Sequence, residues 1–181
     1  MALCYNRPTM LVDTHAHLTM PEFAADLPAV LERALAAGVS AVVCVGVDLS
    51  SSEETVDLAQ QRPEVVVTVG VHPNDCAGLE QGWLDRLRAL AGQPRVVAIG
   101  EIGLDYYRQR TGRPRQREVF QAQLGLAGEL GLPVVVHNRE AGPDVADILV
   151  EWSAGLPVQH PRGVLHCFSG DVPLMERCCE A

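Results

Sequence analysis

The sequence predicts an α/β protein in which strand and helix alternate about six times within a single domain, residues 1–181. Two observations carry this prediction. Valine-rich runs recur at intervals of 24 to 38 residues, and helical patterns fill the intervals between them. Because the runs are apolar throughout rather than alternating, they are typical of strands buried on both faces, as in parallel sheets. Helices between such strands are the crossovers that parallel pairing requires.

Six runs are predicted as strands, each dominated by aliphatic residues. They are Met10–Val12, Ala41–Val47, Val65–Val71, Val96–Ile99, Val134–Val136 and Val164–Leu165. Parallel strands in this order fit two architectures, a doubly wound open sheet and a (β/α) barrel. A complete eight-stranded barrel usually needs roughly 200 residues or more.

Five helices are predicted between the strands, and local signals mark several of their ends. They span residues 22–37, 51–61, 83–91, 115–130 and 144–152. Gly38 and Gly131 follow the first and fourth helices, where glycine is a favoured terminator. Ser51 and Glu54 have the spacing of a capping box, and Pro143 suits the start of the last helix.

The charge composition excludes several kinds of chemistry. The formal net charge is −9, and all 14 basic residues are arginine. Without lysine the chain cannot form a Schiff base, a P-loop lysine contact or a carbamylated-lysine metal bridge. The acidic balance also excludes a generally basic surface that coats nucleic acid.

The six cysteines indicate free thiols in a reducing compartment, since none has C-x-x-C spacing and Cys178 and Cys179 are adjacent. Residues 1–10, which include Cys4, lack the apolar core of a signal peptide. No run is long enough to span a membrane. We therefore expect a cytoplasmic protein with no membrane partner.

Histidines mark the ends of the predicted strands. Five of the six lie at or just after a strand end, namely His15, His17, His72, His137 and His166. Glu101 follows the fourth strand in the same way. The carboxyl ends of parallel strands are where α/β sheets and barrels hold their active sites. Imidazoles with a carboxylate suit zinc and other divalent ions, so the sequence predicts a metal centre.

Spacing suggests how this centre is arranged. His15 and His17 alternate along a strand and can face one ion, with Asp13 expected to orient them. A carboxylate in the apolar segment around Glu101 is costly unless it is paired or bound to metal. We therefore expect Glu101 to bridge two ions and to position the attacking water. His137 and His166 would complete the second ion site.

Six ordered segments resemble the TatD-type metal-dependent deoxyribonucleases of the amidohydrolase superfamily, between about residues 10 and 172. They are D-T-H-A-H-L (13–18), V-G-V-H-P (69–73), G-E-I-G-L-D-Y-Y (100–107), the helix with Gln116, Phe120 and Gln123, P-V-V-V-H-N-R-E-A (133–141) and H-C-F-S-G (166–170). The resemblance implies a TIM-type (β/α) barrel with one or two divalent ions, Mg²⁺, Mn²⁺ or Zn²⁺.

The resemblance also implies roles for individual residues. The metal ligands implied are His15, His17, Glu101, His137 and His166. His72 and Arg139 match family positions near the substrate. Family members continue through two further strands, the last with a metal-binding aspartate that has no counterpart before Ala181. We therefore expect about six of eight βα units, an incomplete barrel shortened at its C-terminal end.

The function expected is hydrolysis of phosphodiester bonds in DNA, as an exonuclease on single-stranded or nicked ends. Arginines that could grip phosphates follow Glu101 closely: Arg108, Arg110, Arg113, Arg115 and Arg117. Tyr106 and Tyr107 could stack on bases, and Arg139 is placed for a phosphate contact. The alternative is that these arginines simply lie on a solvated loop and at the start of a helix, without a binding role.

Two other functions remain open. Another ester hydrolase on the same barrel, such as a D-aminoacyl-tRNA deacylase, would use the same metal and histidines. An inactive remnant of such an enzyme would fit the shortened chain.

Overall fold

The computed structural model describes residues 10–181, so the prediction of a free thiol at Cys4 lies outside the described residues. The strands are β1 (Leu11–Ala16), β2 (Val39–Val45), β3 (Val65–Val69), β4 (Val96–Asp105), β5 (Val134–Arg139) and β6 (Gly163–Leu165). The helices are a 3₁₀ turn (Pro21–Phe23), α1 (Leu27–Ala36), α2 (Leu49–Gln61), α3 (Trp83–Ala91), α4 (Arg113–Leu130), α5 (Gly142–Ala154) and α6 (Val172–Cys179).

The six strands form one parallel sheet in which spatial order follows chain order, β1 to β6. A doubly wound sheet reverses its order at a switch point, so that alternative is excluded. The sheet is curled. This is shown by the ring of His15 at the end of β1, which stacks on the ring of His166 just after β6. The predicted βα repeat is thus confirmed as a half-barrel with helices between its strands.

The core is aliphatic and nearly continuous, and it joins the sheet to the helices. Its fully buried members include Leu31, Val67, Leu87, Ile99 and Phe120. The edge strands differ from this pattern.

Leu11 and Val12 of β1 and Val164 of β6 are about half exposed, at 48%, 51% and 54%. Within residues 10–181, therefore, the two edges of the sheet carry apolar side chains without full cover.

Two local predictions are wrong. The cap of α2 is Asp48, whose carboxylate accepts from the N–H of Ser51 at 2.7 Å, while the Ser51 hydroxyl accepts from the N–H of Asp48 at 3.0 Å. Ser51 is thus the third helical residue of the box rather than its cap, because the helix begins at Leu49. Strand β4 also runs on to Asp105, so Glu101 lies inside this strand and not after it.

Helix α4 fixes the segments that follow β3 and β4 through two fully buried glutamines. Gln123 accepts from the Val71 N–H at 2.7 Å and donates to the Val71 carbonyl at 3.0 Å. Gln116 accepts from the Asp105 N–H at 2.8 Å and donates to the carbonyls of Asp105 and Thr111. Each amide therefore satisfies backbone groups that would otherwise be buried without partners.

The described cysteines are free, as predicted: Cys44, Cys76, Cys167, Cys178 and Cys179. Between residues 10 and 181, no helix has both the length and the hydrophobicity needed for a membrane span.

Candidate metal centre

Four strands deliver the five predicted ligands to one rim of the sheet. His15 lies in β1 and His17 directly follows it, Glu101 lies in β4, and His137 lies in β5. His166 is the first residue after β6. Close approach of β4 and β5 depends on Gly103, whose φ of +140° favours glycine and where a Cβ would meet the His137 carbonyl oxygen.

Three ligand atoms form a compact triangle at this rim. The distances are 3.2 Å between the Nε2 atoms of His15 and His17, 3.4 Å from His15 Nε2 to Glu101 Oε2, and 3.8 Å from His17 Nε2 to Glu101 Oε2. A point equidistant from all three lies about 2.0 Å from each, which is the length of a zinc–nitrogen or zinc–carboxylate bond. The spacing of the three atoms is therefore compatible with a shared divalent ion.

Hydrogen bonding prepares His17 to act as a ligand. Its Nδ1 lies 3.1 Å from the carbonyl oxygen of Val45, and a carbonyl can only accept. Nδ1 therefore carries the proton and Nε2 keeps its lone pair for an ion. Asp13, which was expected to orient the imidazoles, instead accepts from the backbone N–H of His15 at 3.1 Å.

His166 joins this group from the far edge of the sheet. A ligand nitrogen of His166 lies with donors of His15 and Glu101 in a set whose atoms are all within 4.8 Å of one another. Burial and the neighbouring His15 lower the pKa of His166. A neutral imidazole is the form that binds metal.

A second group of donors lies on the other side of Glu101. The Nδ1 of His137 is 2.8 Å from Glu101 Oε1, and a nitrogen of His72 completes a set within 4.8 Å. The two carboxylate oxygens of Glu101 thus face different imidazole groups, Oε2 toward His15 and His17 and Oε1 toward His137. This is the arrangement that a bridging carboxylate needs.

Glu101 is held in its charged form at this position. It is only 4% exposed, and burial alone would raise its pKa. Hydrogen bonds from His137 and His15 outweigh burial and bring the pKa far below the ordinary value. A carboxylate at neutral pH can therefore be expected here.

Asp105 is a member of the site that sequence reasoning missed. It is 1% exposed, and its Oδ2 lies 3.5 Å from His137 Nε2, an atom with no hydrogen-bond partner of its own. If Nδ1 of His137 faces an ion beside Glu101, Nε2–H points to a carboxylate, a common support for metal-bound histidine. Asp105 is the second acid of the G-E-I-G-L-D segment, a signal that could have identified it.

Burial alone would raise the pKa of Asp105. Hydrogen bonds from three donors have the larger opposite effect, so the pKa lies below its ordinary value. The donors are the N–H of Arg108 at 2.7 Å, the Asn74 side chain at 2.7 Å and the N–H of Tyr107 at 3.0 Å, with help from His137. Asp105 is therefore a fixed anion behind His137.

His72 has a defined tautomer. The backbone N–H of Asn74 donates to His72 Nδ1 at 3.2 Å, so the neutral ring carries its proton on Nε2. A nitrogen that carries a proton donates hydrogen bonds rather than binding metal. His72 lines an open cleft of about 270 Å³ together with Glu101, His137 and His166.

The two tyrosines after β4 occupy different surroundings. The Tyr106 ring is 8% exposed, its hydroxyl donates to Asp144 at 2.6 Å, and the Arg113 guanidinium lies 4.2 Å from its centre. Tyr106 does not line the cleft, and its predicted contact with substrate stays a prediction. Tyr107 is 61% exposed, and the Arg139 guanidinium lies 5.0 Å from its ring centre.

Comparison with known sequences matches residues 12–181 to a family described as TatD related DNase. An uncharacterized metal-dependent hydrolase, YabD of Bacillus subtilis, is 37% identical over 169 residues, which cover 93% of this chain and 65% of that protein. The 3'-5' ssDNA/RNA exonuclease TatD of Enterobacter lignolyticus is 40% identical over 168 residues, 93% of this chain and 63% of that protein. The chain thus spans just under two thirds of the length of these relatives.

Comparison with solved structures agrees with this result. The crystal structure of YJJV, a TatD homolog from Escherichia coli, superposes with a TM-score of 0.87 at 30% identity, over 96% of this chain and 66% of that one.

Proposed function

Because the chain belongs to the TatD-related DNase family, we propose that it supplies the metal centre of a hydrolase that cleaves phosphodiester bonds at single-stranded nucleic acid ends. The observation that carries the proposal is the position of Glu101. Its two oxygens face two separate groups of imidazoles, at 2.8 Å on one side and 3.4 Å on the other. Paired sites that share a carboxylate are typical of enzymes that cleave phosphate esters.

His15, His17 and Glu101 would hold one ion with His166 beside them, and Glu101 and His137 would hold the second. His166, which the sequence assigned to the second ion, lies with His15 instead. Divalent ions at such a site lower the pKa of a bound water and neutralise charge on a phosphate. Imidazole-rich donors suit Zn²⁺ and Mn²⁺, and the shared carboxylate also admits Mg²⁺.

The protein's own groups would orient the substrate. The tautomer of His72 presents an N–H to the cleft, which can donate to a non-bridging phosphate oxygen. Arg139, at the end of β5 two residues beyond His137, supplies a guanidinium suited to bidentate phosphate contact. His72 and Arg139 thus take substrate roles rather than ligand roles in this proposal.

The name of the Enterobacter relative, a 3'-5' exonuclease of single-stranded DNA and RNA, supports a single-stranded substrate and a 3' end as the starting point. The free cysteines within residues 10–181 support a reducing compartment such as the cytoplasm.

The test is nucleotide release from a single-stranded oligonucleotide labelled at its 5' end, with Mg²⁺, Mn²⁺ or Zn²⁺ and with EDTA. We expect a ladder that shortens from the 3' end, that requires metal and that disappears in Glu101→Ala. Glu151→Ala removes an exposed carboxylate of α5 and serves as the control.

A charged D-aminoacyl-tRNA is assayed in parallel. Release of the amino acid without release of nucleotides would replace the nuclease proposal with an ester hydrolase. Absence of metal-dependent turnover of both substrates would favour a binding protein without catalysis.

A further inference from the structure

We propose that three arginines and one tyrosine beside the cleft form a track for the single strand, with guanidiniums on its phosphates and the tyrosine on a base. The track consists of Arg108, Arg110, Arg139 and Tyr107. The proposal rests on the proposed function, because it names the surface by which the same site would hold its substrate.

Most of the described arginines already have partners. Of the thirteen arginines in residues 10–181, nine hold a carboxylate or a backbone carbonyl. They are Arg33, Arg62, Arg86, Arg88, Arg95, Arg115, Arg117, Arg162 and Arg177. In a chain with a net charge of −9, pairing of this kind is expected for an arginine without another role.

The four other described arginines share one neighbourhood. Arg108, Arg110 and Arg113 follow β4, and Arg139 ends the adjacent β5. In residues 10–181 none of their guanidiniums has a hydrogen-bonded acceptor or a carboxylate in ion-pair range. Arg113 lies on the buried Tyr106 ring, which leaves three that are free to bind an anion.

The sheet register places Arg139 beside the turn that carries Arg108 and Arg110. Asp105 pairs with Arg139 across β4 and β5, so the turn after Asp105 starts beside the end of β5. Arg108 lines the cleft with Glu101 and His137. A phosphate chain that enters the metal centre would therefore pass these guanidiniums.

The turn that displays the track is held in shape before any ligand binds. Asp105 accepts from the N–H groups of Tyr107 and Arg108, at 3.0 and 2.7 Å. The N–H of Arg110 donates to the Asn74 side chain at 3.2 Å. Since the backbone of this turn is already fixed, binding adds no cost for ordering a loop of the protein.

Tyr107 gives the track a feature that a simple anion site would not need. Its ring is 61% exposed beside a free guanidinium, that of Arg139 at 5.0 Å. An exposed aromatic ring next to arginines is the usual platform for an unpaired base. A duplex hides its bases, so the surface favours a single strand.

The test is binding in EDTA, where no hydrolysis occurs, measured by fluorescence anisotropy. The probes are a fluorescein-labelled oligothymidylate of ten nucleotides and an abasic chain of the same length. The variants are Arg108→Gln with Arg110→Gln, and Tyr107→Ala. The control, Arg33→Gln with Arg86→Gln, removes the same charge from two paired helix arginines.

We expect the track double variant to weaken binding of both probes about tenfold more than the control does. Its slope of log affinity against log salt should fall by about 1.4, or 0.7 for each lost phosphate contact. Tyr107→Ala should weaken oligothymidylate binding roughly tenfold and leave the abasic chain unchanged. Equal losses in track and control variants, equal loss on both probes for Tyr107→Ala, or no binding by the unmodified chain would overturn the proposal.

The two proposals fail separately. Binding that depends on the track without metal-dependent cleavage would remove the nuclease and keep the track. Metal-dependent cleavage, together with track variants that bind like the control, would keep the nuclease proposal and remove the track.

Discussion

The imidazoles of His15 and His166 stack face to face, with centroids 3.6 Å apart and planes 8° apart. One belongs to the first strand of the sheet and the other follows the sixth. The candidate ligands therefore come together only when the sheet is curled. Ion binding and the folded state should consequently be coupled, because an ion that binds the assembled ligands binds little to the unfolded chain.

The first prediction concerns Glu101→Gln. Added Zn²⁺ or Mn²⁺ at 100 times its Kd should stabilise the unmodified chain by about 2.7 kcal/mol, while the variant should gain little because both ion groups lose a shared anion. The measurements are thermal unfolding with and without metal, and ion stoichiometry by calorimetry. Two bound ions in the variant would contradict the bridging role of Glu101.

The second prediction concerns Asp105→Asn, which removes the charge that faces His137. Loss of such a support typically weakens metal binding 10- to 100-fold. We expect a loss in that range for the weaker-bound ion in calorimetric titrations. Asp57→Asn, at an exposed position of α2, should bind both ions normally. An unchanged metal affinity in Asp105→Asn would show that Asp105 only stabilises the turn after β4 and does not support His137.

The third prediction compares two glutamines of α4. Gln123→Ala would leave the Val71 N–H and carbonyl buried without partners, at a cost of roughly 3 kcal/mol in the free energy of unfolding. Gln121→Ala, at an exposed position of the same helix, should change it by less than about 0.5 kcal/mol. Urea unfolding measures both, and similar values for the two would show that the amide bonds contribute little.

The fourth prediction concerns pH and Asp144. The Tyr106 hydroxyl, and then the charge of Arg117, lower the pKa of Asp144 against the effect of burial. A carboxylate whose folded pKa is depressed stabilises the protein above its unfolded pKa of about 3.9, and this stabilisation is lost as pH falls through the folded pKa.

Asp144→Asn should therefore destabilise the chain at pH 6 and approach the unmodified chain near pH 3. Because the side chain is 40% exposed, the effect should stay below about 1 kcal/mol. Unfolding in urea at pH 3, 4 and 6 without metal measures it. A difference that grows as pH falls would contradict the assignment.

Much of the fold could be predicted from sequence because its signals are local. Valine runs and intervening helices follow from hydrophobic periodicity, and α3 was predicted with its observed bounds, Trp83–Ala91. Strand β4 was predicted too short. Its continuation through Gly100 and Gly103 carries few β-formers, and only pairing with β5 keeps it extended.

The sequence predicted which histidines meet beside Glu101, but not how these side chains are arranged. Strand ends pointed to the histidines and to Glu101, because parallel strands place their ends together. Sequence could not show which oxygen of Glu101 faces which imidazole, nor that Asp105 lies behind His137. Those relationships depend on side-chain contacts between strands 30 or more residues apart in the chain.

Gln116 and Gln123 lie seven residues apart on α4, so they occupy the same face two helical turns from each other. Gln123 hydrogen-bonds the segment that leads into His72, and Gln116 hydrogen-bonds Asp105 at the end of β4. The same helix therefore holds the segments on both sides of the cleft. Amide hydrogen exchange after β3 and after β4 should therefore slow or quicken together, as a single cooperative unit whose opening exposes both segments at once.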